Sequence, residues 1–179
     1  MEKSHIPPPN KQRAPSTRRN DIFFGIIAVA VVIVDQLTKW LIVHFVPYNT
    51  VLWDARVFQI IHVQNTGVSF GMLQGRILFV IIVVFVEMAI ILYVAYMLRK
   101  QLASLESILF RVGLGLVMGG AIGNQIDRIV KHHVTDFIDF KVWPVFNVAD
   151  MGAVIGIIII AYCILFKSGL LKSKHGDKP

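Results

Sequence analysis

The sequence has a single cysteine and few charged residues. Cys163 lies inside an apolar run of this 179-residue chain, so neither a disulfide nor a cysteine metal site is available. Charged residues make up 16% of the chain, whereas soluble domains average about 25%. Hydrophobic residues make up 55%, and the mean hydropathy is +0.66. This composition excludes an ordinary soluble enzyme, a disordered protein and a disulfide-stapled scaffold.

The sequence also lacks the short motifs of several hydrolase classes. It contains no HExxH, GxSxG or SxxK motif, and no repeat or nucleotide-binding loop. His132 and His133 are adjacent, so on a helix they would point about 100° apart and form a poor metal pair. His62 lies in an alternating segment and is interpreted as a surface residue. No neighbouring residue supports a Ser69–Lys39 dyad, and the sequence predicts neither a metal site nor a cofactor.

Four apolar stretches are long enough to cross a bilayer. Each exceeds the threshold of about 18 residues, and lipid-exposed backbone must satisfy its own hydrogen bonds, so each is predicted to be a helix. The predicted spans are residues 22–43, 77–98, 107–129 and 148–166. Ala28-Val29-Ala30 resembles a signal-peptide cleavage site but lies in the middle of the first apolar run, so that span is expected to be retained. These spans predict an all-α membrane protein with four transmembrane helices.

Residues 44–76, between the first two spans, are not lipid-like. They combine alternating and β-branched stretches with the turn signal Asn65-Thr66-Gly67. We interpret this loop as a small strand-containing platform at the membrane surface.

Lysine and arginine predict the orientation. The two tails and the loop after the second span hold eleven of them, and the two opposite loops hold five. Because cytoplasmic segments are enriched in these residues, both termini are predicted to be cytoplasmic and the larger loops external. Residues 1–21 contain three consecutive prolines and are predicted to be a disordered basic tail, and residues 167–179 a second basic tail. The net charge of +7 therefore indicates membrane orientation, not a nucleic-acid partner.

Polar residues within and between the spans collect near the predicted outer interface. Asp35 and Lys39 are four residues apart, on one helix face, where they could pair. Only Glu87 lies near the midplane. The other polar residues on this side are Asn124, Asp127 and Arg128 at the end of the third span, Asp136 and Asp139 in the following loop, and Asn147 and Asp150 at the start of the fourth span.

Acids gathered beside a low-dielectric medium suggest aspartic hydrolysis. Two carboxyl groups held close cannot both ionise, so one can take a proton from water while the other protonates the carbonyl or leaving group. Spacing alone does not choose the pair from Asp35, Asp127, Asp136, Asp139 and Asp150. The structural alternative is that Asp35 with Lys39, and Asp127 with a nearby arginine, are buried ion pairs. For Asp35 this alternative is favoured.

Small residues predict which helices approach closely. Gly115, Gly119 and Gly123 recur on one face of the third span, and the fourth span also carries small residues, a pattern that lets helices pack closely in lipid. Packing alone is the simpler interpretation of this stripe. If the third and fourth spans pack together, Asp136 and Asp150 come near each other.

Two other classes of function compete with a hydrolase. In a proton-coupled carrier, Glu87 and Asp127 would be relay groups, but transport sites usually lie at the midplane between repeats, and this chain has no repeat. A non-catalytic anchor or chaperone for lipid-modified proteins would need the helices but not two close acids.

Five segments closely resemble the bacterial lipoprotein signal peptidases (signal peptidase II). They are VDQLTK (34–39), QNTGVSFG (64–71), GGAIGNQIDRI (119–129), VTDFIDF (134–140) and FNVADMG (146–152), in the family's order and spacing. The resemblance implies an aspartyl endopeptidase of the bacterial cytoplasmic membrane that removes signal peptides from diacylglyceryl-modified prolipoproteins, cutting before the lipidated cysteine. Its active site would face the extracytoplasmic side. We expect a monomer in membrane lipid, with no cofactor.

The resemblance also implies roles for individual residues. Asp136 and Asp150 correspond to the catalytic pair, and the loop containing Asn65 to the family's extracytoplasmic β-cradle. Gln64, Thr135 and Met151-Gly152 depart from the usual residues, but none of these changes removes an acid or the arginine. The positions that line the site or contact substrate are Asn65, Asn124, Arg128 and Asn147, and the supporting positions are Asp35, Lys39 and Asp127.

Overall fold

Four long helices and one small sheet make up the fold. The computed structural model describes residues 15–67, 76–99 and 107–167. In chain order the elements are α1 (Pro15–Phe45), β1 (Val51–Asp54), β2 (Gln59–Asn65), α2 (Ile77–Arg99), α3 (Ile108–Lys131), β3 (Val134–Asp139) and α4 (Val148–Tyr162), which continues as a π-helical turn (Cys163–Lys167). The predicted fold class, four membrane helices with a small β-containing platform, is confirmed.

The observed helices are close to the predicted spans, with one correction at the N-terminus. Segments long and apolar enough to cross a membrane run over Arg19–Phe45, Ile77–Met97, Ile108–Lys131 and Val148–Phe166. Because α1 begins at Pro15, residues 15–21 are helical and not disordered as predicted. The rest of the predicted tails, 1–14 and 168–179, and part of the predicted loop, 68–75, lie outside the described residues.

α3 is the central helix of the bundle. In an apolar 18-residue stretch of α3 67% of the residues are buried, against 6% in the corresponding stretch of α2, and α3 packs against α1, α2 and α4. The helix begins at the N-cap Ser107, whose hydroxyl accepts a hydrogen bond from the amide of Phe110. It ends at His132, whose left-handed backbone (φ 61°) terminates the helix. Because α3 is covered on several sides, it can carry polar residues that lipid would not tolerate.

Glycines bring α3 close to both α1 and α4. The prediction that the stripe of Gly115, Gly119 and Gly123 faces the fourth span was wrong. A Cβ at Gly115 or Gly119 would collide with backbone oxygens of α1, so this stripe faces α1 and not α4. The close contact between α3 and α4 is made instead by Gly113 and Gly156, and by Gly120, which lies against the carbonyl oxygen of Ala149. The predicted packing of the third and fourth spans is nevertheless observed.

The Gly120→Ala variant is expected to lower the free energy of unfolding by about 1–3 kcal/mol, because the added methyl meets backbone that cannot rotate away. The matched control is Gly25→Ala, where a Cβ meets nothing within 4 Å. The control should be neutral or stabilising by up to about 1 kcal/mol, from helix propensity. Unfolding in detergent micelles titrated with dodecyl sulfate measures both. Equal effects would contradict the packing described for Gly120.

The sheet joins the external loop to the connection between α3 and α4. Its strand order is β1-β2-β3, with both pairs antiparallel. The loop after α3 was not predicted to be a strand, yet it forms β3 and pairs with β2. In this register Val63 pairs with Asp136, and Asn65 pairs with Val134. The sheet therefore places Asn65 beside Asp136, although they are 71 residues apart in sequence.

Candidate active site

Asp150 is held by the cap at the start of α4. Asn147 is the N-cap residue, and its side-chain oxygen accepts from the amide of Asp150 at 3.0 Å. Asp150 Oδ2 in turn accepts from the amide of Asn147 at 3.2 Å, which completes a capping box. The other carboxylate oxygen, Oδ1, accepts from Asn124 Nδ2 of α3 at 2.8 Å. Both oxygens of Asp150 are therefore oriented by neighbouring donors.

Asp136 is held by two asparagines on opposite sides. Its side chain lies on β3, and the residue is 2% exposed. Oδ1 accepts from Asn147 Nδ2 at 2.6 Å, and Oδ2 accepts from Asn65 Nδ2 at 3.1 Å. Asn147 thus contacts both acids, one through its side-chain amide and the other through its backbone and side-chain oxygen. A single asparagine links the strand acid to the helix acid.

The environment of Asp136 favours the protonated form of its carboxyl group over the ionised form. Burial, followed by the negative charge of nearby Asp150, raises the pKa of Asp136 to about 7, against the opposing hydrogen bonds from Asn65 and Asn147. A carboxyl group that titrates near neutrality can hold a proton or release it under physiological conditions, as general acid–base chemistry requires.

This pKa predicts how stability depends on pH. Because the folded state binds the proton of Asp136 more tightly than the unfolded chain, its stabilising contribution is present below about pH 4 and is lost as the pH rises through about 7. In Asp136→Asn this part of the stability profile should be less steep than in wild type. Unfolding in micelles from pH 4 to 8 measures it, with Asp139→Asn as the control that keeps the slope. A slope unchanged in Asp136→Asn would contradict the assignment.

A buried charge cluster lies behind the acid pair. Lys39 Nζ lies 2.8 Å from Asp35 Oδ2 and 3.3 Å from Asp127 Oδ2, and all three side chains are fully buried. The predicted pairing of Asp35 with Lys39 is confirmed. The predicted pairing of Asp127 with an arginine was wrong, because its described cationic partners are Lys39 and Lys131, the latter at 3.0 Å.

The charge cluster connects to the acid pair through Asn124 and the start of α4. Lys39 Nζ donates to Asn124 Oδ1 at 2.7 Å, which fixes the orientation of the amide whose nitrogen donates to Asp150. Asp35 Oδ1 accepts from the amide of Ala149 at 2.9 Å, in the first turn of α4. Lys39 and Asp35 therefore position Asn124, a hydrogen-bond donor to Asp150, and the first turn of α4. No described hydrogen bond joins Asp35, Lys39 or Asp127 to the side chain of Asp136.

Gln36 belongs to the same cluster, although it was not singled out from the sequence. Its Nε2 lies within hydrogen-bond distance of Asp35 Oδ2 and of the carbonyl oxygen of Gly123, each at 3.1 Å, and is 3.4 Å from Asp127 Oδ1. Gly123 also approaches Asp35 so closely that a Cβ there would lie 2.6 Å from its carboxylate oxygen. The signal available in the sequence was the position of Gln36 inside the VDQLTK segment.

Arg128 lies near the end of α3, beside the acids. It is buried, and Nη2 and Nη1 make long hydrogen bonds, at 3.4 Å each, to the carbonyl of Gly67 and to Gln125 Oε1. Nε has no partner among the described residues. The guanidinium therefore keeps hydrogen-bonding capacity beside the cavity that the acids line.

The acids and Arg128 line one cavity of about 890 Å³. Its polar end also includes Asn65 and Asn124. Of the five candidate acids, only Asp136 and Asp150 line it. Its apolar wall is formed by one exposed face of α4 and by the segment after β3, and its members include Met151, Val154, Ile155, Phe140, Trp143 and Phe146.

Asp139 lies outside this cavity. Although it shares β3 with Asp136, its carboxylate accepts from Gln59 Nε2 and from the amide of Lys141, each at 2.7 Å. Lys141 also pairs with Asp54, so this part of the sheet has its own polar contacts. The geometry therefore separates Asp136 from Asp139, which spacing alone could not do.

The three histidines considered from the sequence do not join the acid pair. His62, predicted to be at the surface, is buried, and its Nδ1 lies 2.8 Å from the carbonyl oxygen of Val46. His132 is the exposed cap of α3. Burial lowers the pKa of His133. Within the described ranges, no three His, Cys, Asp or Glu side chains are grouped to hold a metal ion.

Comparisons with known proteins agree on one family. The family model described as "Signal peptidase (SPase) II" matches residues 27–166. The chain is 40% identical over 147 residues to a lipoprotein signal peptidase of Caldanaerobacter subterraneus subsp. tengcongensis, covering 81% of this chain and 97% of that relative. It is also 40% identical over 146 residues to a lipoprotein signal peptidase of Geobacillus kaustophilus, covering 78% and 91%.

The fold is similar to that of a solved bacterial membrane enzyme. That structure, obtained by the in meso method at 2.3 Å resolution, superposes with a TM-score of 0.71 at 29% sequence identity. The similarity covers 87% of this chain and 94% of the solved chain. The four helices and the solved neighbour together support an integral membrane protein.

Proposed function

The chain belongs to the signal peptidase II family, and we propose that it removes signal peptides from diacylglyceryl-modified prolipoproteins as an aspartyl endopeptidase. The observation that carries the aspartyl mechanism is that Asp136 and Asp150 alone, among the five candidate acids, line the cavity. Both are held by asparagine donors, with Asn147 between them.

The proposed reaction uses one shared proton. The ionised carboxylate of the pair takes a proton from a water molecule, whose oxygen attacks the carbonyl carbon of the residue before the lipidated cysteine. The protonated carboxyl group donates to the carbonyl oxygen as the tetrahedral intermediate forms. Collapse breaks the C–N bond as the carboxyl group that took the proton from water gives it to the cysteine nitrogen, which leaves as an amine. The other carboxylate takes back the proton from the former carbonyl oxygen, which restores the pair. The products are a signal peptide with a new carboxylate and a lipoprotein that begins with the cysteine.

The asparagines position the two carboxylates for this chemistry. Asn65 and Asn147 donate to different oxygens of Asp136, and Asn124 donates to Asp150. These bonds limit rotation of the carboxylates. Lys39 keeps the Asn124 amide in the orientation that presents its nitrogen to Asp150. Preorganised groups of this kind need little rearrangement when charge develops in the transition state.

The cavity suits a substrate that is part peptide and part lipid. Its polar end holds the acids and the cationic side chain of Arg128, which can attract a peptide carbonyl. Its apolar wall includes α4 residues with about half of their surface exposed, such as Val154 and Ile155. A substrate could therefore place its backbone at the acids while its apolar segment stays among acyl chains.

The proposed orientation places the termini in the cytoplasm and the acid pair at the extracytoplasmic face. It rests on the excess of lysine and arginine in the tails and in the loop after the second span. The acids lie near the opposite end of α3 and at the start of α4. The proposal also includes a monomer, as expected from the sequence.

The structure favours a peptidase over a proton-coupled carrier. Glu87 is exposed on α2, the least covered helix, whereas Asp127 is buried and ion-paired with Lys39 and Lys131. These two acids therefore do not form a continuous relay. A non-catalytic anchor would not need two acids oriented around one asparagine.

Cleavage of a matched pair of precursors tests the proposed function. Purified protein would be incubated with one prolipoprotein, prepared with and without the diacylglyceryl group on its cysteine. We expect mass spectrometry to show a single cut, immediately before the cysteine, in the modified precursor only. A cut elsewhere, equal cutting of both precursors, or no cut under conditions where another lipoprotein signal peptidase succeeds would contradict the proposal.

A further inference from the structure

A second cavity, of about 320 Å³, lies at the end of the bundle opposite the acid pair. It lies between α1, α2 and α3, and Arg111 lines it together with Asp21 and Tyr96. Arg111 precedes Asn124 by 13 residues on α3, which corresponds to about 20 Å along the helix. The cavity is therefore separate from the proposed active site.

The depth of Arg111 matches the polar boundary of a bilayer. Asp21 and Arg111 lie within about 5 Å of the beginning of their membrane-length segments, which start at Arg19 and Ile108. The other lining residues are apolar: Phe24, Leu92, Ala95 and Leu114. α2 covers this side with few buried residues, so the cavity borders the lipid. The cavity therefore combines a charged group with apolar walls at the depth where a phospholipid headgroup joins its acyl chains.

Arg111 is buried with hydrogen-bonding capacity to spare. Its side chain is 9% exposed, and Nη2 lies 3.1 Å from Asp21 Oδ1 in an ion pair. That contact lacks hydrogen-bond geometry, and both Nε and Nη2 are buried without a hydrogen-bond partner among the described residues. Leaving buried guanidinium N–H groups unsatisfied is costly, and an oxyanion would satisfy two of them together.

We propose that the Arg111 cavity binds the headgroup of a phosphatidylethanolamine molecule. The phosphodiester would pair with the guanidinium of Arg111, and the primary ammonium would donate to the carboxylate of Asp21, which is 50% exposed. The acyl chains would follow the apolar walls toward the bilayer centre. Basic residues between membrane helices commonly bind the phosphate groups of lipid headgroups.

The negative charge beside Arg111 is the reason for choosing ethanolamine over other headgroups. An anionic glycerol headgroup would bring its phosphate near the Asp21 carboxylate but would carry no cation of its own to offset the repulsion. A choline headgroup is zwitterionic, but its quaternary ammonium has no N–H to donate to a carboxylate. A primary ammonium offers both the charge and the donors.

Native mass spectrometry of the full-length protein in detergent tests the proposal. The probes are phosphatidylethanolamine, phosphatidylglycerol and phosphatidylcholine with identical acyl chains. We expect wild type to retain one phosphatidylethanolamine with at least tenfold higher affinity than either other lipid. Arg111→Gln should lose this preference, and Asp21→Asn should shift it to phosphatidylglycerol. Arg19→Gln, which removes an exposed cation at the same end of α1 outside the cavity, should behave as wild type.

Several results would overturn the proposal. They are equal affinities for the three lipids in wild type, an unchanged preference in Arg111→Gln or in Asp21→Asn, and a loss of preference in Arg19→Gln. Soluble glycerophosphoethanolamine binding as tightly as the lipid would also overturn it, because the acyl chains would then contribute nothing. If Arg111→Gln fails to fold, wild type and Asp21→Asn still decide the result. The readout does not use peptide cleavage, so it is independent of the proposed peptidase function.

Discussion

Asp136→Asn is expected to lower the turnover of diacylglyceryl-modified prolipoprotein by about 10²–10⁴-fold, the range typical of removing a general acid or base. Asparagine can occupy the same space and accept a hydrogen bond from Asn65 or Asn147, so the fold should be retained. It cannot, however, exchange a proton with water or with the scissile peptide. Single-turnover cleavage at saturating enzyme measures the chemical step separately from substrate binding.

Asp139→Asn is the matched control for this prediction. It makes the same chemical change three residues along β3, at an acid that contacts Gln59 and the amide of Lys141 and does not line the cavity. Its turnover should stay within about threefold of wild type, less than 1 kcal/mol in barrier height. Normal turnover in Asp136→Asn, or a comparable loss in Asp139→Asn, would move the chemistry to a different acid.

Lys39→Met is expected to lower the free energy of unfolding by about 3–5 kcal/mol, because it leaves buried carboxylates without their shared cation. Lys39 is fully buried and pairs with both Asp35 and Asp127. Turnover per folded molecule should fall less than in Asp136→Asn, since Asn124 Oδ1 retains its second donor, Asn147 Nδ2, at 3.1 Å. Unfolding in micelles titrated with dodecyl sulfate, combined with single-turnover cleavage, separates the two effects.

Two further variants test the buried charge as the cause. Lys131→Met removes a cation that also contacts Asp127 but is 31% exposed, so it should cost no more than about 1 kcal/mol. Combining Asp35→Asn with Lys39→Met removes one of the stranded anions, so the double variant should be more stable than Lys39→Met alone. A double variant less stable than Lys39→Met would contradict the electrostatic explanation.

Most of the fold was predictable because the lipid environment imposes a strong pattern. Four apolar runs of sufficient length can satisfy their backbone in a bilayer only as helices, and the observed spans agree with them. β3 was not predicted because two of its six residues are aspartates, which are depleted in strands, and because its pairing partner β2 is distant in sequence. Strand pairing of this kind depends on tertiary context.

The sequence identified the candidate residues of the site but not their arrangement in space. The sequence indicated five acids near one interface, and the separation of Asp139 from Asp136 becomes visible only in the register of the sheet and the contacts of each side chain. The glycine stripe of α3 showed a similar limit. Its spacing identifies a face that packs closely, but the neighbour at Gly115 and Gly119 is α1. The spacing of small residues identifies the face of a helix that packs closely, but it does not identify the helix that packs against this face.

The most direct test of the central claim compares wild type with Asp150→Asn on a diacylglyceryl-modified prolipoprotein in lipid. The readout is the gel shift produced by loss of the signal peptide, with the folded state of both proteins checked by their unfolding profiles. If Asp136 and Asp150 form the catalytic acid pair, wild type should cleave the substrate and a folded Asp150→Asn variant should show no detectable cleavage. Cleavage by both proteins at similar rates would contradict the claim.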